Sequence, residues 1–284
     1  MMPLKAFPFE KYEANKNDFV FYNFDPNSWG EDLKNLITQV CDRHAGIGAD
    51  GIVFLFQDNA QKWEWRFFNS DGSECNVCGN AARCAALAIS LHDQSQAIKQ
   101  VWNGSQGQFE GLKLGPDTFS VHWPIQNIKA HSIPDDLMEE LSALNDFGLA
   151  SATLINIGVP HLVLINHEEW SPEHRVGVSP QLRSHPSLGA EGANVTWLSL
   201  KNLSTLTYER GVEAETFACG SGAIAAFLGL NALRLTQEKD FLPEVTFHFP
   251  GGALTVKEEA GSKNLWLSGY AKKVFTGTID LYEP

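Results

Sequence analysis

Along this 284-residue chain the apolar and polar positions alternate mostly at strand period, with three interruptions at helical period. Segments 19–24, 52–56, 63–68, 119–123, 154–157, 162–165, 203–208, 245–249 and 265–267 are short and rich in β-branched or aromatic residues. Each is bounded by Gly, Pro, Asn or Asp, so each is expected to be a strand. Leu33, Leu36, Ile37 and Val40 form an i, i+3, i+4, i+7 stripe, which predicts an amphipathic helix. Two further helices, 80–91 (NAARCAALAISL) and 221–233 (SGAIAAFLGLNAL), are apolar nearly all round. A helix without a polar face has to be enclosed, so these two are expected inside the protein.

The two enclosed helices begin alike. Cys78-Gly79-Asn80-Ala81 opens the first and Cys219-Gly220-Ser221-Gly222 the second, and their separation is close to half the chain. Each follows a strand and a Gly turn, 66–72 and 207–211. Small residues recur in any packed helix, but matching starts after matching lead-ins point to a duplicated domain. The expected fold class is α+β, with two pseudo-symmetric domains, each a barrel-like sheet around a central helix. The first domain is expected over 1–123, joined by a returning C-terminal strand at 270–284, and the second over 124–269. The hinge is expected at 123–126.

Composition narrows the range of functions. Hydrophobic residues make up 43 % of the chain, enough for a real core, and 21 Lys and Arg against 34 Asp and Glu give a formal charge of −13. Such a field repels nucleic acid and anionic lipid, so neither is expected as a partner. No apolar run approaches the roughly 20 residues of a membrane helix. The N-terminal stretch carries charges and Pro where a signal peptide would be apolar. A soluble, cytoplasmic protein is expected.

Five cysteines, Cys41, Cys75, Cys78, Cys84 and Cys219, are too few and odd in number for a disulfide scaffold. Cys75-x-x-Cys78 has zinc or redox spacing, but no second ligand pair stands at finger distance, so no metal site is expected. Cys78 and Cys219 are different in kind. A cysteine at the first turn of a helix sits at the positive end of the macrodipole, which favours its thiolate. The N–H groups that follow have no intrahelical partner and make an anion site. One such motif would suit a cysteine hydrolase with a His partner. Two of them, if the halves face each other, suit removal of an α-proton from one face of a carbon and delivery to the other. The Gly79, Asn80, Gly220 and Ser221 amides would stabilise the charge that develops in the carboxylate. No Rossmann fingerprint, P-loop or marked Schiff-base lysine is present, so no cofactor is expected.

The blocks FFNSDGSECNVCGNAARC (67–84), YERGVEAETFACGSGA (208–223), CDRHAGIGADG (41–51) and NDFV (17–20) resemble the diaminopimelate epimerase family. Similar blocks run in family order from Asn17 to the end of the chain. The resemblance implies epimerisation of L,L-diaminopimelate to the meso form in lysine and peptidoglycan precursor biosynthesis, without a cofactor, on a small-molecule amino acid, by a homodimer. It implies that Cys78 and Cys219 are the two catalytic thiols and that His161 and Glu209 set their protonation. It assigns the α-carboxylate to Gly79, Asn80, Gly220 and Ser221, and further substrate contacts to Asn17, Asn69, Asn194, Glu209 and Arg210, with Arg210 on the distal carboxylate. Two stretches depart from the family. Glu13-Ala14-Asn15-Lys16 replaces a Gly-rich segment, and Val159 stands where an Asn usually precedes Pro-His. The alternative function is racemisation of another amino acid, such as histidine, by the same two-cysteine chemistry. Cys41, Cys75 and Cys84 are expected to have no catalytic task, Cys84 as a small apolar residue of its helix.

Overall fold

The chain opens with β1 (Leu4–Ala14), which folds back into β2 (Asn17–Tyr22) through a two-residue turn. Asn15 and Lys16 hold φ of 53° and 68° there. A two-residue hairpin loop of this kind needs positive φ at both positions. Glycine would meet that need without strain, and here an Asn and a Lys meet it instead. The computed structural model describes residues 4–75, 77–93, 98–105, 107–123, 128–262 and 264–282. It divides into two compact units, Met1–Pro124 with Ser268–Pro284, and Ile125–Leu267. Of the expected hinge, residues 124–126 lie outside the described residues.

In the first unit β2 is followed by α1 (Leu33–Cys41), β3 (Gly51–Gln57), β4 (Trp63–Asn69), the short β5 (Glu74–Cys75), α2 (Gly79–His92), β6 (Lys99–Gly104), β7 (Gly107–Lys113) and β8 (Thr118–His122). Their order in the sheet is β8-β7-β6-β4-β3-β2-β1, continued by the C-terminal strand Lys272–Tyr282, with β2/β3 and β4/β6 parallel. That last strand returns to β1 over its whole length. The sheet wraps α2, which touches β1, β6, β7, β8 and the C-terminal strand. Small side chains allow this enclosure: Ala81, Ala82, Ala85, Ala86 and Ala88 are all buried. A Cβ on Gly111 of β7 would come within 2.7 Å of the Ala86 Cβ, so this strand approaches the helix only because it carries glycine there. The stripe of α1 packs on the opposite face of β1–β3, where Leu36, Ile37 and Val40 join Trp29, Phe54 and Phe68. Each such side chain contributes roughly 1.5–3 kcal/mol on burial.

The second unit runs β9 (Lys129–His131), α3 (Asp135–Ser142), β10 (Leu149–Asn156), β11 (Pro160–Asn166), α4 (Pro172–Arg183), β12 (Asn194–Ser199), β13 (Thr205–Glu209), β14 (Ala214–Glu215), α5 (Gly220–Thr236), β15 (Glu244–Phe249), β16 (Gly252–Glu258) and β17 (Leu265–Tyr270); β17 crosses the unit boundary, and the C-terminal strand is β18. Its sheet has the order β14-β13-β12-β11-β10-β9 with β11/β12 parallel. The helix α5 lies against β10–β13 and β16. Gly229 lets it close onto Val163, whose Cγ1 would be 3.2 Å from a Cβ there. The other face of this sheet is covered as well. Leu162, Leu164, Val195, Trp197 and Tyr208 pack with Leu137 and Leu141 of α3 and Leu182 of α4.

The α+β class with one enclosed helix per half therefore holds. Several details differ from the sequence reading. The sequence pattern alone did not predict α3, α4 or the strands β1, β5, β6, β7, β9, β12, β14 and β16. All six residues of β12 are buried, so it shows no alternation of exposure. The strand expected at 203–208 begins two residues later, because Leu203 has a φ of 56° and its N–H closes a turn onto Ser199 O.

Candidate active site

Each enclosed helix starts with a cysteine used as its N-cap. Cys78 is extended, with φ −139° and ψ 113°, and its sulfur accepts the Ala81 N–H at 3.5 Å. Cys219 has φ −117° and ψ 112°, and its sulfur accepts the Gly222 N–H at 3.2 Å. Sulfur is an uncommon cap. It directs each thiol at the helix end, where Gly79 and Asn80, or Gly220 and Ser221, present the first N–H groups of the helix.

The surroundings of the two thiols are opposite in charge. Beside Cys78 a chain of side chains runs through the first unit. Arg83, wholly buried in α2, donates to Gly79 O at 3.2 Å, Asn80 Oδ1 at 2.7 Å and Asn15 Oδ1 at 2.9 Å. Asn80 Nδ2 then donates to Asn17 Oδ1 at 3.1 Å, and Asn17 Nδ2 to Asp50 Oδ2 at 2.6 Å. Because Arg83 has only donors, it fixes which way both amides point. Burial pulls the Arg83 guanidinium down to about 10, and the charge of Cys78 is among those that oppose this. Asn69 ends β4, is exposed, and donates to Ser73 Oγ at 3.1 Å.

In the second unit β11, β12 and β13 present His161, Asn194, Thr196, Thr207 and Glu209 on the face toward the start of α5, at alternate positions along each strand. His161 and Asn194 are register partners, as are Thr196 and Thr207. His161 Nε2 lies 3.0 Å from Ser221 Oγ, and that oxygen is 3.2 Å from Cys219 Sγ. Burial, with the charge of Arg210 second, lowers His161 to about 3, so it is neutral at physiological pH. Burial and then the Glu209 carboxylate push the Cys219 thiol well up, against hydrogen bonds from Ser221, the Gly222 N–H and Thr207. Here the helix N-terminus does not produce the low thiol pKa expected from sequence: desolvation outweighs it. Glu209 is itself held by the Thr216 hydroxyl. The Arg210 N–H donates to Asn194 Oδ1 at 2.8 Å, while its guanidinium pairs with Glu191 Oε2 at 2.8 Å. Val159 sits in the β10–β11 turn, its carbonyl accepting the Ile157 N–H.

Cys41, Cys75 and Cys84 are not helix N-caps, unlike this pair. Burial raises all three, as it does Cys219, and Cys41 reaches about 12. Among the described residues no group of three or more His, Cys, Asp or Glu could hold a metal ion. Sequence reasoning missed Arg83, Asp50, Thr196 and Thr207. A lone Arg in a helix otherwise built of small apolar residues was the available signal for the first. Arg83→Met is expected to remove the guanidinium donor from the buried Asn15 and Asn80 side-chain oxygens and to cost about 3 kcal/mol of stability. A urea-unfolding midpoint equal to wild type would contradict that role.

The fold places the chain in a class: over its whole length it matches a hydroxyproline epimerase of Agrobacterium vitis, with a TM-score of 0.63 and 13 % identity, covering 95 % of that protein. The fold is that of diaminopimelate epimerase-like isomerases. Sequence makes the assignment narrower. The diaminopimelate epimerase family pattern matches residues 9–105. The chain is 30 % identical over 283 residues to the diaminopimelate epimerase of Aquifex aeolicus, covering 95 % of this chain and 97 % of that one. It is 34 % identical over 270 residues to that of a Nitratiruptor species, covering 93 % and 95 %. The chain belongs to the diaminopimelate epimerase family and is an isomerase.

Proposed function

We propose that the protein epimerises L,L-diaminopimelate to meso-diaminopimelate, with Cys78 and Cys219 as the acid–base pair on the two faces of the α-carbon. The observation that carries this reading is the pair of cysteine-capped, enclosed helices, one in each compact unit, the units being the two halves of one epimerase. A single base would return the proton to the face it left, so inversion requires two. Burial and the Glu209 carboxylate favour the protonated form of Cys219. One thiol takes the α-proton as thiolate and the other supplies its replacement, and the roles exchange in reverse. The amides of Gly79, Asn80, Gly220 and Ser221 receive the α-carboxylate, where negative charge grows in the transition state. Asn17, Asn69 and Asn194 contact the rest of the substrate, and Glu209 and His161 set thiol protonation. No step calls for a cofactor.

Arg210 is assigned to the distal carboxylate. In the substrate-free protein Glu191, whose side chain is 81 % exposed, pairs with that guanidinium and stands where a carboxylate is wanted. Glu191→Gln is expected to lower KM for diaminopimelate about two- to five-fold, the worth of an exposed ion pair. An unchanged or higher KM would remove Glu191 from competition with substrate. The same reading makes the protein a cytoplasmic homodimer, and no described helix is long and apolar enough to cross a membrane. The function is tested by offering L,L- and meso-diaminopimelate and a panel including histidine. Turnover confined to diaminopimelate supports it; faster racemisation of histidine, with Val159 relaxing the distal site, would replace it.

A further inference from the structure

The hydrogen bonds around His161 can be given directions. A backbone N–H only donates, so Asn194 must turn its Oδ1 toward Arg210 N, 2.8 Å away. Its Nδ2, a donor, therefore faces His161 Nε2 at 3.2 Å. A proton on Nε2 would set donor against donor. The imidazole is wholly buried and neutral, so its single proton stands on Nδ1. Nδ1–H then donates to Thr196 Oγ1 at 2.9 Å. With that lone pair filled, the Thr196 hydroxyl turns its own proton to Thr207 Oγ1, 3.2 Å away. The Thr207 hydroxyl is left to donate to Cys219 Sγ, and the two atoms border the same point: a Cβ on Gly222 would lie 2.3 Å from Thr207 Oγ1 and 3.3 Å from Cys219 Sγ. Thr196 and Thr207 are fully buried, so water does not stand in for either link.

We infer that Thr196 and Thr207 are positioning residues of the second thiol: with His161 held as its Nδ1–H tautomer by Asn194, they carry a one-way chain of donors that starts at the Arg210 backbone and runs on to the Cys219 sulfur. Two consequences follow. His161 Nε2 is kept an acceptor, its lone pair shared by Asn194 Nδ2 at 3.2 Å and the Ser221 hydroxyl at 3.0 Å, so Ser221 donates to it and can take the hydrogen bond of the Cys219 S–H. When Cys219 is the thiolate, the Thr207 hydroxyl and the Gly222 N–H hold the charge that burial and Glu209 oppose.

The inference presupposes Cys219 as one of the acid–base pair, but its first test does not. Long-range 15N–1H NMR of histidine-labelled wild-type protein, with His161 assigned by its loss in His161→Gln, reads which ring nitrogen bears the proton. Protonation of Nδ1 is expected; a proton on Nε2 would overturn the chain whatever the substrate. In kinetics, Thr207→Val is expected to lower kcat about ten-fold or more with KM little changed, the loss of one hydrogen bond to a charged group. Thr207→Ser should recover most of it. A Val variant at wild-type kcat, or a Ser variant as poor as Val, would make Thr207 a packing residue only.

Discussion

Alanine in place of either Cys78 or Cys219 is expected to reduce epimerisation by roughly two to four orders of magnitude, the range carried by a positioned general acid or base. The two losses should be equally severe, because each face of the α-carbon has one acid–base group. Neither variant should lose much stability: Cys78 is half-buried, and Cys219 contributes one sulfur cap to a long helix whose packing continues beyond it. Serine at either position should also be severe, since a hydroxyl is far less acidic than a thiol. A cysteine hydrolase would behave differently and lose activity at one cysteine only. Near wild-type turnover in either alanine variant would sink the two-thiol mechanism.

The second large effect is expected at Arg210. Arg210→Met removes a charge-assisted, bidentate partner for the distal carboxylate, worth about 1.5–3 kcal/mol, or roughly ten- to hundred-fold in KM for diaminopimelate. A monocarboxylic amino acid, which has nothing to offer that guanidinium, should be affected far less. The Arg210 N–H that orients Asn194 belongs to the backbone and survives the substitution. Equal penalties for both substrates would make Arg210 structural.

The enclosed helices and their cysteines were legible in the sequence because an all-round apolar helix admits one placement, and because a Cys-Gly-polar start has a distinct capping chemistry. The strands β2, β3, β4, β8, β10, β11, β13, β15 and β17 were legible for the same kind of reason. What escaped were residues whose role depends on non-local pairing. Thr196 and Thr207 lie in different strands and meet only through the β12/β13 register, and Arg83 reads as a stray cation until Asn15 and Asn80 are seen around it. The thiol environment was misread at Cys219 because sequence shows the helix start but not the depth of burial. The turn at Asn15 and Lys16 shows the reverse case. It carries no glycine and still keeps the backbone that glycine would serve, while Asn15 gains a second task in holding Arg83.

The central claim, one thiol on each face of the α-carbon, is tested most directly by running L,L-diaminopimelate through the wild-type protein in deuterated water and stopping early. A thiol carries one proton and exchanges it with solvent, so the acid that completes the inversion delivers deuterium while the base holds the substrate's own hydrogen. The account predicts meso product deuterated at the inverted carbon, with recovered L,L substrate still protiated. Deuterium entering substrate and product at equal rates from the start would mean a single base serving both faces, and would contradict it.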